Sequence, residues 1–401
     1  MIQRPLTRSL RIPEDQRLSA TRRPPVPNRR TQEIMTDLIH QFVDVSGSGP
    51  REQSKWRSIV VPKKSIDREI ERLIDLQRPD NGRRASMIVH PAATRIGQGF
   101  APSTDVTINV VNPGETTFNR RKNSNMLEIC LSGEGVAAVG NREIAVSRWD
   151  VWNTPAMQIH SYRNTGQQPW VRLSYSNAPV LEMLEVHFVE EFDGDIPPSD
   201  KKTTPAAPRP GAARARDLAL REQIGEDGAH LLGYEWLIDI DVVESKPLHW
   251  PYAKVAEYLP SVEDLARGYN GRRLFVLYNP ATERRNGTTH SFFATISSSP
   301  PNNSHFAHRH SSSAINYYLR GNGHSMVDGQ RYDWKAGDLL LSAPGWAMHA
   351  HHSGSEAVSA LTVQDHPFHI GIESLIWQER SSEPIMALGS QPGFQSNRAF
   401  L

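Results

Sequence analysis

Ala307-His308-Arg309-His310, followed 39 residues after His310 by His349 at the end of Pro344-Gly345-Trp346-Ala347-Met348-His349, decides how this chain is read. On a strand, side chains alternate with period two, so His308 and His310 point to the same side. A third histidine behind a Pro-Gly turn closes the triangle from a neighbouring strand. Three neutral imidazoles suit Fe, Zn, Cu or Ni, and a three-ligand site leaves coordination positions open for chemistry. His290 to His369 holds ten of the sixteen histidines, and most of these cannot be ligands. Context sets His308, His310 and His349 apart. Ser311 to Leu319 reads as a strand closed by Gly321-Asn322-Gly323, and His324 to Val327 as another. Asp328-Gly329 is a hairpin signal, and Ala336-Gly337-Asp338 turns the chain into Leu339 to Ser342. Short strands and tight turns in this order predict a compact antiparallel barrel.

These stretches resemble the two signature motifs of the cupin superfamily of small double-stranded β-helix barrels. Within it the chain is similar to the gentisate 1,2-dioxygenase family, which includes salicylate- and hydroxynaphthoate-cleaving enzymes. The resemblance is carried by His308-Arg309-His310 running into Ser311-Ser312-Ser313-Ala314-Ile315. Pro344 to His351 and, upstream, Tyr278-Asn279-Pro280-Ala281-Thr282 extend it. Many cupins place a glutamate ligand just after the histidine pair; here Ala314 and Ile315 stand there. The resemblance implies Fe(II), with Mn, Ni or Zn as alternatives, held by His308, His310 and His349. His351 would then sit beside the metal or the substrate.

An internal repeat predicts two such barrels in a mainly β bicupin with peripheral helices. Pro113-Gly114-Glu115 precedes Arg120-Arg121-Lys122 as Pro301-Asn302-Asn303 precedes His308-Arg309-His310. Gly133-Glu134-Gly135 then matches Gly321-Asn322-Gly323, and His160 matches His349. The first copy has Arg120 and Lys122 in place of two ligands, and two cations repel a metal. His160 is expected to be a packed barrel histidine. In many gentisate dioxygenases the first cupin carries the working iron; here only the second retains the ligands.

The expected layout is a basic N-terminal arm and helix over 1–55 and a first cupin over 56–192. A Pro/Ala-rich linker over 193–217 and a bridging segment over 218–285 follow. The second cupin covers 286–380 and a tail 381–401. Helical patterns lie over Thr31 to Val45 and over Ile66 to Leu76, where Ile66, Ile70, Leu73 and Ile74 share a face. A chain of 401 residues supports two cores. Net charge of +1 implies no general attraction to nucleic acid or membrane, and there is no apolar run long enough for a transmembrane helix. The single cysteine, Cys130, is expected to pack in a strand, which suits a reducing cytoplasm.

Three neutral ligands leave an ion its full charge, which favours an anionic chelating substrate such as an aromatic ortho-hydroxy acid. The resemblance implies O2-dependent ring cleavage, expected here to be of extradiol type, in a homo-oligomer that is a dimer or a tetramer. Beside the metal trio, His351 and Asn316 are the candidate catalytic groups, and Trp346, Gln364 and Tyr318 the candidate substrate contacts. Arg309, alternating to the opposite face, is expected to form an ion pair, and Arg272 and Arg273 to lie on a charged surface. Two other functions stand beside dioxygenation: a metal-dependent lyase, decarboxylase or isomerase, and a non-catalytic small-molecule binder.

Overall fold

The structure is a computed structural model that describes residues 44–50, 56–94, 97–194, 221–224, 226–234, 243–260 and 273–392. The arginine-rich arm, nearly all of the Thr31 to Val45 stretch, the linker beyond residue 194, and Arg272 lie outside the described residues. Met1–Gln53 and Ser54–Leu401 are separate units, and the barrels lie in the second.

Each half of this unit sets one six-stranded antiparallel sheet against smaller ones: a five-stranded sheet in the first, two three-stranded sheets in the second. In the first barrel one sheet runs His249–Trp250, Val151–Thr154, Met126–Ser132, Trp170–Ser176, Asp105–Val111, Arg84–Ile88. In the second barrel the order is Ile59–Val61, Leu339–Pro344, Ser313–Arg320, Val358–Gln364, Phe293–Ser299, Arg273–Val276. The two orders correspond strand for strand: Asp105 to Phe293, Val151 to Leu339 and Trp170 to Val358 are each 188 residues apart. The chain is therefore a bicupin, and the sequence repeat is a structural one.

The facing sheets carry the residues of interest. In the first barrel Asn119–Lys122 and His160–Asn164 are neighbours; in the second, His349–Ser353 lies beside Asn322–Val327. The Asp328-Gly329 turn has both residues at positive φ (45° and 79°), the conformation of a two-residue hairpin whose twist matches its strands. Cys130 is fully buried, as its strand pattern implied.

The strands that complete the two large sheets are exchanged. Ile59–Val61 precedes the first barrel in sequence but pairs with Leu339–Leu341 of the second. His249–Trp250 follows the first barrel, and precedes the second, yet pairs with Val151 and Trp152 of the first. Each exchanged strand leads through a proline, Pro62 or Pro251, into a helix, Lys63–Asp75 or Tyr252–Ala256. Proline suits a helix entrance because its missing N–H would be unpaired there anyway. On Lys63–Asp75, Ile66 and Leu73 are buried, and Ile70 and Ile74 pack against a core cluster drawn from both barrels.

Equivalent aspartates fasten these entries. Asp150 accepts the Tyr252 N–H at 2.8 Å and the Ser147 N–H at 3.0 Å, with His249 Nε2 at 3.0 Å. Asp338 accepts the Lys63 N–H at 2.7 Å and the Lys335 N–H at 2.9 Å. Removing either carboxylate leaves two backbone donors without their acceptor, so Asp150→Ala and Asp338→Ala are each expected to cost about 1–3 kcal/mol in urea unfolding. Burial raises the Asp150 carboxyl pKa, but His249 and the N–H groups of Tyr252 and Ser147 outweigh it and hold the group below its ordinary 3.8. A folded pKa below the unfolded one gives stability that is present above about 3.8 and lost as pH falls through the folded value. The gap between wild type and Asp150→Asn is therefore expected to narrow below pH ~4; a gap constant down to pH ~2 would deny the carboxylate this role.

Candidate metal centre

His308 and His349 are held backbone to backbone: His308 N donates to His349 O at 3.1 Å and His349 N to His308 O at 2.8 Å. His310 sits on Arg309–His310, paired with Trp377 and Gln378 of Ile376–Gln378. The three imidazoles converge as the alternation predicted. Their ring centroids are 4.5, 4.8 and 5.6 Å apart, and one nitrogen from each lies within 4.8 Å of the others. All three residues are buried, at 6%, 1% and 2% exposure.

Two of the rings are oriented by the protein in the manner of metal-bound histidines. His310 Nδ1 lies 2.9 Å from Ser312 O, and His349 Nδ1 lies 2.9 Å from Ala347 O. A carbonyl only accepts, so Nδ1 carries the hydrogen and Nε2 the lone pair, the tautomer an ion needs. The donor set is therefore fit for a divalent first-row ion: three buried, borderline nitrogen ligands with no carboxylate among them. His160 repeats the device, with Nδ1 3.0 Å from Gln158 O. Arg120 faces His160 across the sheet as His308 faces His349, which establishes the equivalence. Yet beside His160 stand Arg120 and the buried Lys122. Burial, then Arg120, push Lys122 down to about 7; burial, with Lys122 and Arg120, pushes His160 down to about 3.

Sequence reasoning missed the residues that wrap the trio. The Trp377 ring stacks on His308 at 4.9 Å and 11°, and lies 5.0 Å from His310. Its Nε1–H donates to Glu379 Oε2 at 2.6 Å, on a carboxylate that is itself buried. His366 packs 4.8 Å from His310, and the Ser312 hydroxyl lies between their Nδ1 atoms, at 2.9 Å and 2.5 Å. Phe293 covers His366 at 4.8 Å. Trp377 has no fixed spacing to the histidine motifs. The Asp365-His366-Pro367 stretch reads only as a turn, although it aligns with Asn177-Ala178-Pro179 in the repeat.

The other named candidates divide. His351 shares a strand with His349, its ring 5.8 Å away, and its Nδ1 rests on Ser325 Oγ at 2.8 Å. Ser325 in turn accepts the Trp334 indole N–H at 3.0 Å. Asn316 and Tyr318 line a small cavity with His351. Asn316 donates to Ser342 Oγ at 2.6 Å and accepts from Thr362 Oγ1 at 2.6 Å, so both ends of its amide are engaged. The register shifts between Ala314 and Ile315, so simple alternation from His310 to Asn316 does not hold. Tyr318 stacks on Trp334 at 3.8 Å and 7°. Gln364 ends its strand opposite Phe293 and Ala314, and its Oε1 is buried without a hydrogen-bond partner among the described residues. Trp346 lies on the turn after Gly345, beneath the Arg309 guanidinium at 4.4 Å. Arg309 also donates to Gln378 at 2.7 Å, so among the described residues it serves this stack and not the expected ion pair.

Known proteins resemble the chain in sequence and in fold. A family model described as the AraC-like ligand binding domain matches residues 293–370. The chain is 24% identical to 1-hydroxy-2-naphthoate 1,2-dioxygenase of Nocardioides sp. (strain KP7) over 316 residues, 78% of this chain and 74% of that one. It is 25% identical to 5-aminosalicylate 1,2-dioxygenase of Comamonas sp. over 305 residues, 73% of this chain and 74% of that one. Its fold matches the crystal structure of salicylate 1,2-dioxygenase from Pseudaminobacter salicylatoxidans with a TM-score of 0.65 at 16% identity, covering 89% of this chain and 99% of that one. Among the described residues no helix is long and apolar enough to cross a membrane.

Proposed function

We propose, from the premise that this chain belongs with the gentisate- and salicylate-type bicupin 1,2-dioxygenases, that it cleaves the ring of an aromatic acid bearing a hydroxyl ortho to its carboxylate, using O2 and Fe(II). The observation that carries the proposal is the buried convergence of His308, His310 and His349 with no carboxylate in the set. Bound there, a ferrous ion would supply a Lewis-acidic, redox-active centre with open positions for substrate oxygens and O2. The relatives are 1,2-dioxygenases, so we place the cleaved bond between the carbons bearing carboxyl and hydroxyl. The extradiol subclass expected from sequence is replaced by this one.

The chain's own residues do the positioning. The ligands are neutral, so the site keeps a net positive charge for a substrate that brings carboxylate and phenolate. Ser312 O and Ala347 O hold two rings in the ligating tautomer. Trp377 lays its ring against His308 and His310, and Phe293 backs His366, so aromatic faces line the trio. His351, held by Ser325 beside His349, is the candidate for holding or moving a proton on substrate oxygen. The Gln364 carbonyl offers an acceptor to a substrate hydroxyl, and Trp346 an aromatic wall. Asn316 and Tyr318, engaged in their own contacts, shape the cavity behind His351. We further take the protein to be a cytoplasmic homo-oligomer, which light scattering on the purified protein addresses.

Anaerobic titration of the ferrous protein with salicylate, gentisate and 1-hydroxy-2-naphthoate, followed by admission of O2, is the direct test. At least one acid is expected to change the absorption spectrum and then support O2 uptake. No spectral change and no uptake with any of them would point to a lyase, decarboxylase or isomerase instead. Ser312→Ala is expected to weaken iron binding by about 10-fold, the low end of outer-shell effects, because the Ser312 carbonyl still holds His310. Competition with a metallochromic chelator measures it, and unchanged affinity would make the hydroxyl irrelevant to the ligand.

A further inference from the structure

The first barrel carries cations where the second carries converging imidazoles, and a cavity of about 30 Å3 opens beside them. Arg83, Arg120, His160, Tyr162 and Arg172 are among its walls. Most charges around it are matched. Arg83 pairs with Glu191 at 3.0 Å, Arg84 with Glu115, and Arg172 with Glu128 at 2.6 Å. Glu128 is saturated, since it also accepts the Ser174 hydroxyl at 2.8 Å and the Tyr162 hydroxyl at 2.5 Å. Arg120 is matched only in part: Glu191, opposite it in the sheet, is hydrogen-bonded to Arg83, and Arg120 Nε is buried with no hydrogen-bond partner among the described residues, as is Arg172 Nε. Lys122, 8% exposed, has Ser176 Oγ at 3.3 Å as its hydrogen-bond partner. The nearby acid Asp105 offers only part of a charge, because burial, with Glu182, raises it to about 7. A buried guanidinium N–H left without an acceptor is costly, and two guanidinium groups sharing one carboxylate leave an excess of positive charge. An anion in the cavity removes that cost.

We propose that the first barrel is a binding site for a small planar monovalent oxyanion of the formate, nitrate or bicarbonate class, held by Arg120 with Lys122 and Arg172 Nε behind it. A guanidinium fork matches two oxygens of a planar anion. A cavity of about 30 Å3 admits only a few heavy atoms and shuts out aromatic acids. Arg83, with 27% of its side chain exposed, marks where the cavity approaches the surface. The neutral His160 is in keeping with this, since a protonated ring would add further positive charge beside Arg120 and Lys122.

Thermal unfolding of the full-length protein in nitrate or formate, against sulfate at equal ionic strength, tests the proposal. A saturable rise in Tm of about 2–5 °C is expected with the small planar anions and not with sulfate. The rise is expected to persist in His310→Ala, which alters the other barrel, and to vanish in Arg120→Gln. Equal Tm in all three anions overturns the proposal on the wild type alone, whether or not Arg120→Gln folds. A rise that survives in both Arg120→Gln and Lys122→Met, or that disappears in His310→Ala, overturns it as well.

Discussion

His310→Ala is expected to purify folded but to bind Fe(II) far more weakly and to show no measurable ring cleavage. Changes to residues that merely orient a metal ligand cost about 10–100-fold, so loss of a ligand itself exceeds that range. His310 is 1% exposed and tied through Ser312 to His366, so its replacement removes a buried ligand from the trio. His160→Ala is the paired control. Its ring lies in the other barrel, between cations that oppose an ion, so metal content and turnover are expected to stay near wild type. Metal analysis and O2 uptake on the two variants side by side decide the matter. A His160→Ala protein stripped of its iron would overturn the assignment of the metal to the second barrel.

Glu128→Leu is expected to destabilise the chain by about 3–5 kcal/mol, the range for breaking a buried ion pair from one side. Glu128 and Arg172 are 1% and 3% exposed, their ion pair spans 2.6 Å, and the guanidinium lies 3.5 Å over the Tyr162 ring. Removing the carboxylate leaves the buried Arg172 without its counter-charge, beside other cations, and takes the acceptor from Ser174 and Tyr162. The double variant Glu128→Leu/Arg172→Met is expected to recover much of the loss, because neither charge is then left alone. Urea unfolding of the single and double variants measures this. A double variant no better than the single would mean that the pair acts through packing and not through charge.

The barrels were legible because turn chemistry and alternation act locally. Gly321-Asn322-Gly323 and Asp328-Gly329 force their turns whatever surrounds them, and His308-Arg309-His310 needs only a strand to aim two rings together. The repeat added what locality lacks: it equated His160 with His349, and the Arg120–His160 pairing shows that equation in space. Other features depended on contacts between distant segments. Nothing near Ile59–Val61 tells which barrel it joins, because three apolar residues suit either edge. Trp377 reaches His308 only because Ile376–Gln378 folds back onto Arg309–His310, a pairing without a periodic signal. The register shift after Ala314 similarly put Asn316 outside simple counting from His310.

The crossed edge strands bear on how the protein is made. A ribosome releases the body of the first barrel long before His249 and Trp250 emerge, so that sheet waits with an open flank along Val151–Thr154. The second barrel receives its flank, Ile59–Val61, from peptide synthesised near the start. The first half is complete once His249 and Trp250 emerge, before the body of the second is made, while the second half is built onto a flank that has waited since the start. Cutting the gene between them would yield fragments that each carry the other's missing piece, suited to joining up when produced in the same cell.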